Sequence, residues 1–171
     1  MTSIANQTLA GANAAKLERQ EAQYLSFPLG PERFAIEILK VQEIRALTAT
    51  TPIPNAPAHI RGVINLRGTI VPVVDLRRRF GISTDADSRF AIILVVSVRT
   101  RVIGLIADAV PKVLTVASDE IAAPPDLGQR VDLSFVSGVL YRAQELVLIL
   151  DLDHLLATEF DSAEAPLAAV G

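Results

Sequence analysis

The chain has 171 residues, of which 50% are hydrophobic, with 16 basic and 19 acidic side chains, a net charge of −3 and no cysteine. That is one compact domain, or two small ones sharing a core, able to bury roughly 68–70% of its unfolded surface without metal or disulfide. The charge excludes the basic excess typical of nucleic-acid binders. The longest apolar run, Ala91–Val96, falls far short of the roughly 20 residues that span a bilayer.

Residues Met1–Ala22 are rich in Ala, Asn, Thr and Gln and read as an N-terminal tail, with room for a short helix over Asn13–Ala22. They lack the basic start and continuous apolar core of a signal peptide. A cytoplasmic protein with no direct membrane insertion is the expectation. From residue 23 the signal is β. Strands are expected over Gln23–Leu29, Arg33–Leu39, Gly62–Leu66, Thr69–Leu76, Phe90–Val98, Arg101–Ala107 and Leu146–Leu152, each short, rich in Val and Ile, and bounded by turn residues. Gly30-Pro31 and Arg99-Thr100 sit where hairpin turns belong. Asp75 and Asp151 each end a strand and precede a short helical stretch, where an aspartate caps the first free N–H groups. Pro28 and Pro72 lie inside strand patterns; proline cannot donate to a ladder, so edge strands or bulges are expected. Residues 158–171 are small and acidic and read as a second tail.

An internal repeat organises the chain. Tyr24 to Ile44 align without a gap on Ile93 to Val113 at an offset of 69, which puts Val41 over Val110 and Ile44 over Val113. Gly62-Val63 and Val73-Val74-Asp75-Leu76 align on Gly138-Val139 and Ile149-Leu150-Asp151-Leu152 at an offset of 76. An insertion in the Pro124–Arg130 region accounts for the change. The period is too long for a solenoid. It predicts an all-β domain over 23–157, built from two subdomains of about five strands closed into small barrels around a shared core, with short helices. The halves would span about 23–89 and 90–157, leaving room for strands to exchange between them.

No residue pattern carries catalysis. His59 and His154 have no metal-ligand partner at a recognised spacing, and there is no Gly-x-Ser-x-Gly elbow, cysteine nucleophile or phosphate-binding glycine loop. A small hydrolase using His59 or His154 is one alternative function. A β-barrel nucleic-acid module is another, although Arg77-Arg78-Arg79 without interleaved aromatics reads as a solvated helix face. No cofactor, metal or catalytic residue is assigned. Leu66-Arg67-Gly68 interrupts two apolar strands and pushes Arg67 out on a turn, where a guanidinium can make a fixed contact.

Several motifs resemble the CheW family of chemotaxis coupling proteins. They are Ile38-Leu39-Lys40-Val41-Gln42-Glu43-Ile44, Thr51-Pro52-Ile53-Pro54-Asn55-Ala56-Pro57, Ile60-Arg61-Gly62-Val63-Ile64-Asn65-Leu66-Arg67-Gly68 and Val71-Pro72-Val73-Val74-Asp75-Leu76. Val102–Val110 resembles the second half more loosely. Ser137-Gly138-Val139 keeps only the middle of the family's Gly-Leu-Gly, and Ala35 stands where glycine is common. The resemblance implies two five-stranded SH3-like barrels and no catalytic activity. It also implies a role as an adaptor between the cytoplasmic hairpin tips of chemoreceptors and the regulatory domain of the histidine kinase CheA, recruited to membrane-associated arrays. A receptor hairpin tip needs an apolar groove with a few fixing polar groups. Repeat-related strands lining it from both halves make Val41, Glu43, Arg67, Ile92, Ile103 and Val110 the expected receptor contacts, with Gly62 permitting close backbone approach. Exposed edge or bulge positions of the first half make Ile44 and Pro72 the expected kinase contacts.

Overall fold

A computed structural model of the chain describes residues 20–82, 88–125 and 133–157. Within them run β1 (Glu21–Leu29), β2 (Glu32–Glu37), a 3-10 turn (Ile38–Lys40), β3 (Val41–Ala46), β4 (Ile60–Leu66), β5 (Thr69–Asp75) and the short helix α1 (Leu76–Phe80). The second half follows with β6 (Ile92–Val98), β7 (Arg101–Ala107), β8 (Lys112–Ala117), β9 (Val136–Arg142) and β10 (Glu145–Leu150). Residues 152–157 are helical.

The ten strands form two five-stranded sheets, ordered β8-β1-β2-β10-β9 and β3-β6-β7-β5-β4. The two orders are the same once each strand is replaced by its repeat mate. Each sheet also draws from both halves. β1 and β2 pair with strands of the second half, and β6 and β7 with strands of the first. In each sheet a parallel pairing joins the halves, β10 to β2 and β5 to β7.

The side-chain alternation of the strands builds three apolar layers. In β6, Ile92, Leu94, Val96 and Val98 enter a central cluster with Leu25, Phe27, Phe34 and Ile36 of the other sheet. Ile93 and Val95 face the opposite way, into a cluster made wholly by the β3–β7 sheet. Tyr24, Ala35, Leu140, Val147 and Ile149 form the counterpart in the other sheet. A strand buried on both faces has no polar side to show, which is why Ile92–Val96 reads as a continuous apolar run. Ala35 is fully buried in this last cluster.

Both capping aspartates are in place. Asp75 accepts from the backbone N–H groups of Arg77 (3.1 Å) and Arg78 (3.4 Å), and Asp151 from that of His154 (3.1 Å). The prolines correct an expectation, because neither lies on an edge strand. β1 and β5 are interior strands, but the β8 ladder on β1 stops at Ser26 and the β7 ladder on β5 starts at Val73. Pro28 and Pro72 sit just beyond those limits, so their missing N–H costs the ladder nothing. Three strands escaped the sequence reading: β3, β8 and β9. The first two are edge strands with polar or half-exposed faces, and β3 carries a bulge at Gln42 that breaks its period of two.

The repeat extends to detail. Isolated bridges join Thr51 to Val63 and Ala122 to Val139. Their offsets, 71 for Thr51 to Ala122 and 76 for Val63 to Val139, show that part of the extra length lies before Ala122. The Pro124–Arg130 region lies partly outside the described residues. The bridges explain both repeat glycines. A Cβ on Gly62 would lie 2.3 Å from the Thr51 carbonyl oxygen, and Gly62 has φ +147. A Cβ on Gly138 would meet the movable Ile121 Cγ2 at 2.5 Å.

Two ion-pair clasps tie the short helices to the crossovers between sheets. Arg77 on α1 makes a bidentate pair with Asp108, beyond β7, with Nε to Oδ1 at 2.6 Å; Asp108 also accepts from the backbone N–H of Gly30 (2.7 Å) in the β1–β2 turn. Asp153, in the C-terminal helical segment, accepts from Lys40 Nζ (2.9 Å) and lies 3.7 Å from Arg99 Nε in the β6–β7 turn. Burial opposes the Lys40 charge, but the Asp153 hydrogen bond and the Glu37, Asp153 and Asp151 carboxylates outweigh it and raise its pKa. The Lys40 hydrogen bond lowers that of Asp153 against a weaker effect of burial.

Two outcomes follow from this packing. Gly62→Ala should lose at least about 2 kcal/mol in urea unfolding, because backbone and not a flexible side chain blocks the new methyl group. Gly138→Ala should lose clearly less, and equal losses would contradict the contact described. Asp153→Asn should lower the melting temperature slightly at neutral pH. A lowered aspartate pKa contributes stability above the ordinary carboxylate range and loses it on acidification, while the Lys40 contribution holds until the pH rises through its raised pKa. The difference between wild type and variant should therefore narrow as the pH falls below the ordinary carboxylate range, and a difference undiminished by acidification would contradict the assignment.

Candidate functional site

β3 is an outer strand of its sheet, paired on one side with β6. The bulge at Gln42 lets Val41 and Ile44 face the same way although three positions separate them. Val41 packs against the central cluster. Ile44 lies opposite Leu94, a central-cluster residue, yet is 44% exposed. On β8, an outer strand of the other sheet, Val113 lies opposite Leu25 and is 55% exposed. Leu25 and Leu94 are repeat mates, so the register supports the pairing of Ile44 with Val113. Each sheet thus ends in an edge strand that shows an aliphatic side chain beside the shared core.

Glu43 and Arg45 point toward the interior of their own sheet, opposite Val95 and Ile93. Arg67 comes to meet them. Arg67 and Gly68 are the central residues of the β4–β5 hairpin and both have positive φ, 51° and 85°, the signature of a two-residue type I′ turn. Asn65 Oδ1 accepts from the Gly68 N–H at 2.8 Å. From this turn Arg67 Nη2 donates to Glu43 Oε2 at 2.7 Å, and Arg45 Nη1 lies 3.6 Å from Glu43 Oε1. The Arg67 side chain is 77% exposed. It therefore links a hairpin to an edge strand and remains open to solvent. Beside it lies a cleft of about 440 Å³ lined by Arg45, Thr48, Thr51, Val63, Asn65 and Ile70. At the β9–β10 hairpin Arg142 binds the Thr115 carbonyl (3.0 Å) and Glu120 (2.7 Å), joining that hairpin to β8.

Four predicted contact residues are not at the surface. Ile103 is fully buried and Ile92 nearly so, both in the central cluster, because β6 and β7 are interior strands. Pro72 is buried on interior strand β5. Gly62 is buried, and the space in front of it holds the chain's own Thr51. Their apolar or small character serves packing. Val110 is exposed, as is Leu39 at 94%, which the sequence reading passed over. Glu43 and Arg67, assigned separately, form one pair.

The groups that suggested chemistry serve the fold. The His59 carbonyl accepts from the Asp75 N–H at 2.7 Å, and the His154 ring lies 5.4 Å from that of Phe135. Arg77 holds Asp108, Arg78 lies 3.5 Å from Asp75, and Arg79 stacks over Phe135 at 4.3 Å. Three arginines committed to internal partners do not make a phosphate-reading stripe. Among the described residues, no group of three His, Cys, Asp or Glu side chains could hold a metal ion, and no helix is long and apolar enough to cross a membrane.

Comparison with known proteins agrees with this geometry. The CheW-like domain matches residues 23–160. A chemotaxis protein CheW from Rhizobium meliloti (strain 1021) is 38% identical over 148 residues, covering 86% of this chain and 96% of that protein. A chemotaxis protein CheW from Klebsiella aerogenes is 36% identical over 140 residues, covering 80% of this chain and 82% of the other. Among solved structures, the scaffolding protein TtCheW from Thermoanaerobacter tengcongensis superposes with a TM-score of 0.72 at 34% identity, covering 78% of this chain and 86% of that one. An all-β fold of two five-stranded sheets, the family match over residues 23–160 and these relatives lead to one conclusion: the chain belongs to the CheW-like family of non-enzymatic chemotaxis adaptors.

Proposed function

We propose that this adaptor couples the cytoplasmic hairpin tips of chemoreceptors to the regulatory domain of the histidine kinase CheA, and that it works in the cytoplasm at membrane-associated receptor arrays. The observation that carries the reading is the β3 edge. One strand there presents an aliphatic rim on the face next to the shared core and, on its other face, Glu43 held by the solvent-open Arg67. A helical hairpin tip needs an apolar groove with a few fixing polar groups, and Val41, Glu43 and Arg67 supply both. Val110 remains an exposed receptor-contact candidate in the other half. Kinase contact falls to Ile44, whose exposure leaves it free to pack against a similar barrel.

Titration of receptor fragment and CheA separately against wild type and two variants tests this. Ile44→Glu should weaken CheA binding at least about tenfold and leave the fold intact, since a 44% exposed side chain is not sealed in the core. Collapse of stability would return Ile44 to the core. Arg67→Ala should cost about 1–3 kcal/mol of partner binding, while folding changes by less than about 1 kcal/mol, as for an exposed ion pair. Folded wild type that binds neither partner would overturn the adaptor reading.

A further inference from the structure

β3 is entered directly from the crossover turn Ile38–Lys40, so what fixes that turn also fixes the first residues of the strand. The three turn residues have three fates. Ile38 packs against the central cluster, Leu39 is 94% exposed, and Lys40 reaches Asp153 at 2.9 Å. Asp153 also lies 3.7 Å from Arg99. One carboxylate thus gathers a crossover, a hairpin turn and the C-terminal helical segment.

The same kinds of element are tied in the other half by Arg77, Asp108 and Gly30, but with the charges exchanged. What the two clasps share is the connection from helix to crossover.

The Lys40–Asp153 pair has side chains 25% and 43% exposed, against 13% and 16% for Arg77–Asp108. Solvent screening therefore leaves it a small part in overall stability. Its location is more telling than its strength, since Lys40 is the residue before Val41. We infer that Lys40 and Asp153 are a positioning pair for the partner-binding edge. They hold the crossover so that Val41 and Glu43 are presented in fixed register and Leu39 stands out as an apolar knob. Neither member of the pair touches the partner. The inference rests on the reading of β3 as the receptor-contact strand.

The test combines binding with amide exchange, on the full chain. Lys40→Ala and Asp153→Asn should each weaken binding of a recombinant chemoreceptor tip fragment by about fivefold, and the double variant should be no weaker than either single one. Asp153→Glu should retain most of the affinity. Melting temperatures should move by no more than about 3 °C, and amide exchange over residues 39–43 should rise about tenfold in Asp153→Asn. Loss with Lys40→Ala but not Asp153→Asn would make Lys40 a direct contact and overturn the inference. Additive losses, or unchanged affinity, would also overturn it. Wild type that fails to bind the fragment would defeat the adaptor reading itself. Unchanged exchange over 39–43 would defeat the positioning pair whether or not the fragment binds.

Discussion

Each half of the chain hands its first two strands to the sheet completed by the other half, and the apolar side chains on those strands can be covered only from both sides. β1 and β2 have their ladder partners in β8 and β10; β6 and β7 have theirs in β3 and β5. Neither half can complete a sheet alone, nor can it bury Phe27, Phe34, Leu94 or Ile103. The central cluster is therefore the condition for the outer two. The chain must also cross between sheets after β2 and again after β7, and the Lys40–Asp153 and Arg77–Asp108 clasps lie at those crossings.

The crossings place the working surfaces. A strand that leaves a crossover joins its new sheet at an edge, so β3 and β8 are both outer strands. Edge strands usually invite uncontrolled pairing. β3 carries the bulge at Gln42 and the charged pair Glu43–Arg67, both of which blunt a flat edge. What remains accessible is an aliphatic side chain beside a fixed ion pair. Such a surface suits recognition of another protein and offers nothing to a reacting substrate. Among the described residues the one buried carboxylate, Asp75, is 5% exposed and is spent on capping α1 and on Arg61 and Arg78.

Much of this was legible in the residues. The β content, the repeat, the capping aspartates and the exposed turn arginine follow from local chemistry, and local chemistry is printed along the chain. The pairing of Glu43 with Arg67 was not, since it spans 24 residues and depends on which hairpin meets which edge. Ile92 and Ile103 looked like surface candidates because strands of high apolar content are ambiguous about which face is covered; a three-layer core covers both. Gly62 was read as room for a partner, and the room is filled by Thr51, a contact only the folded chain reveals. Edge strands β3 and β8 escaped notice because a half-exposed strand with polar residues resembles a loop.

The proposed adaptor role requires one small fold to join two different partners at once. Sedimentation of the chain with a chemoreceptor tip fragment and CheA, in pairs and all together, tests it most directly. A ternary complex should form only when the adaptor is present and should sediment faster than either binary one. Binary complexes that exclude each other, or a receptor–kinase complex indifferent to the adaptor, would contradict it.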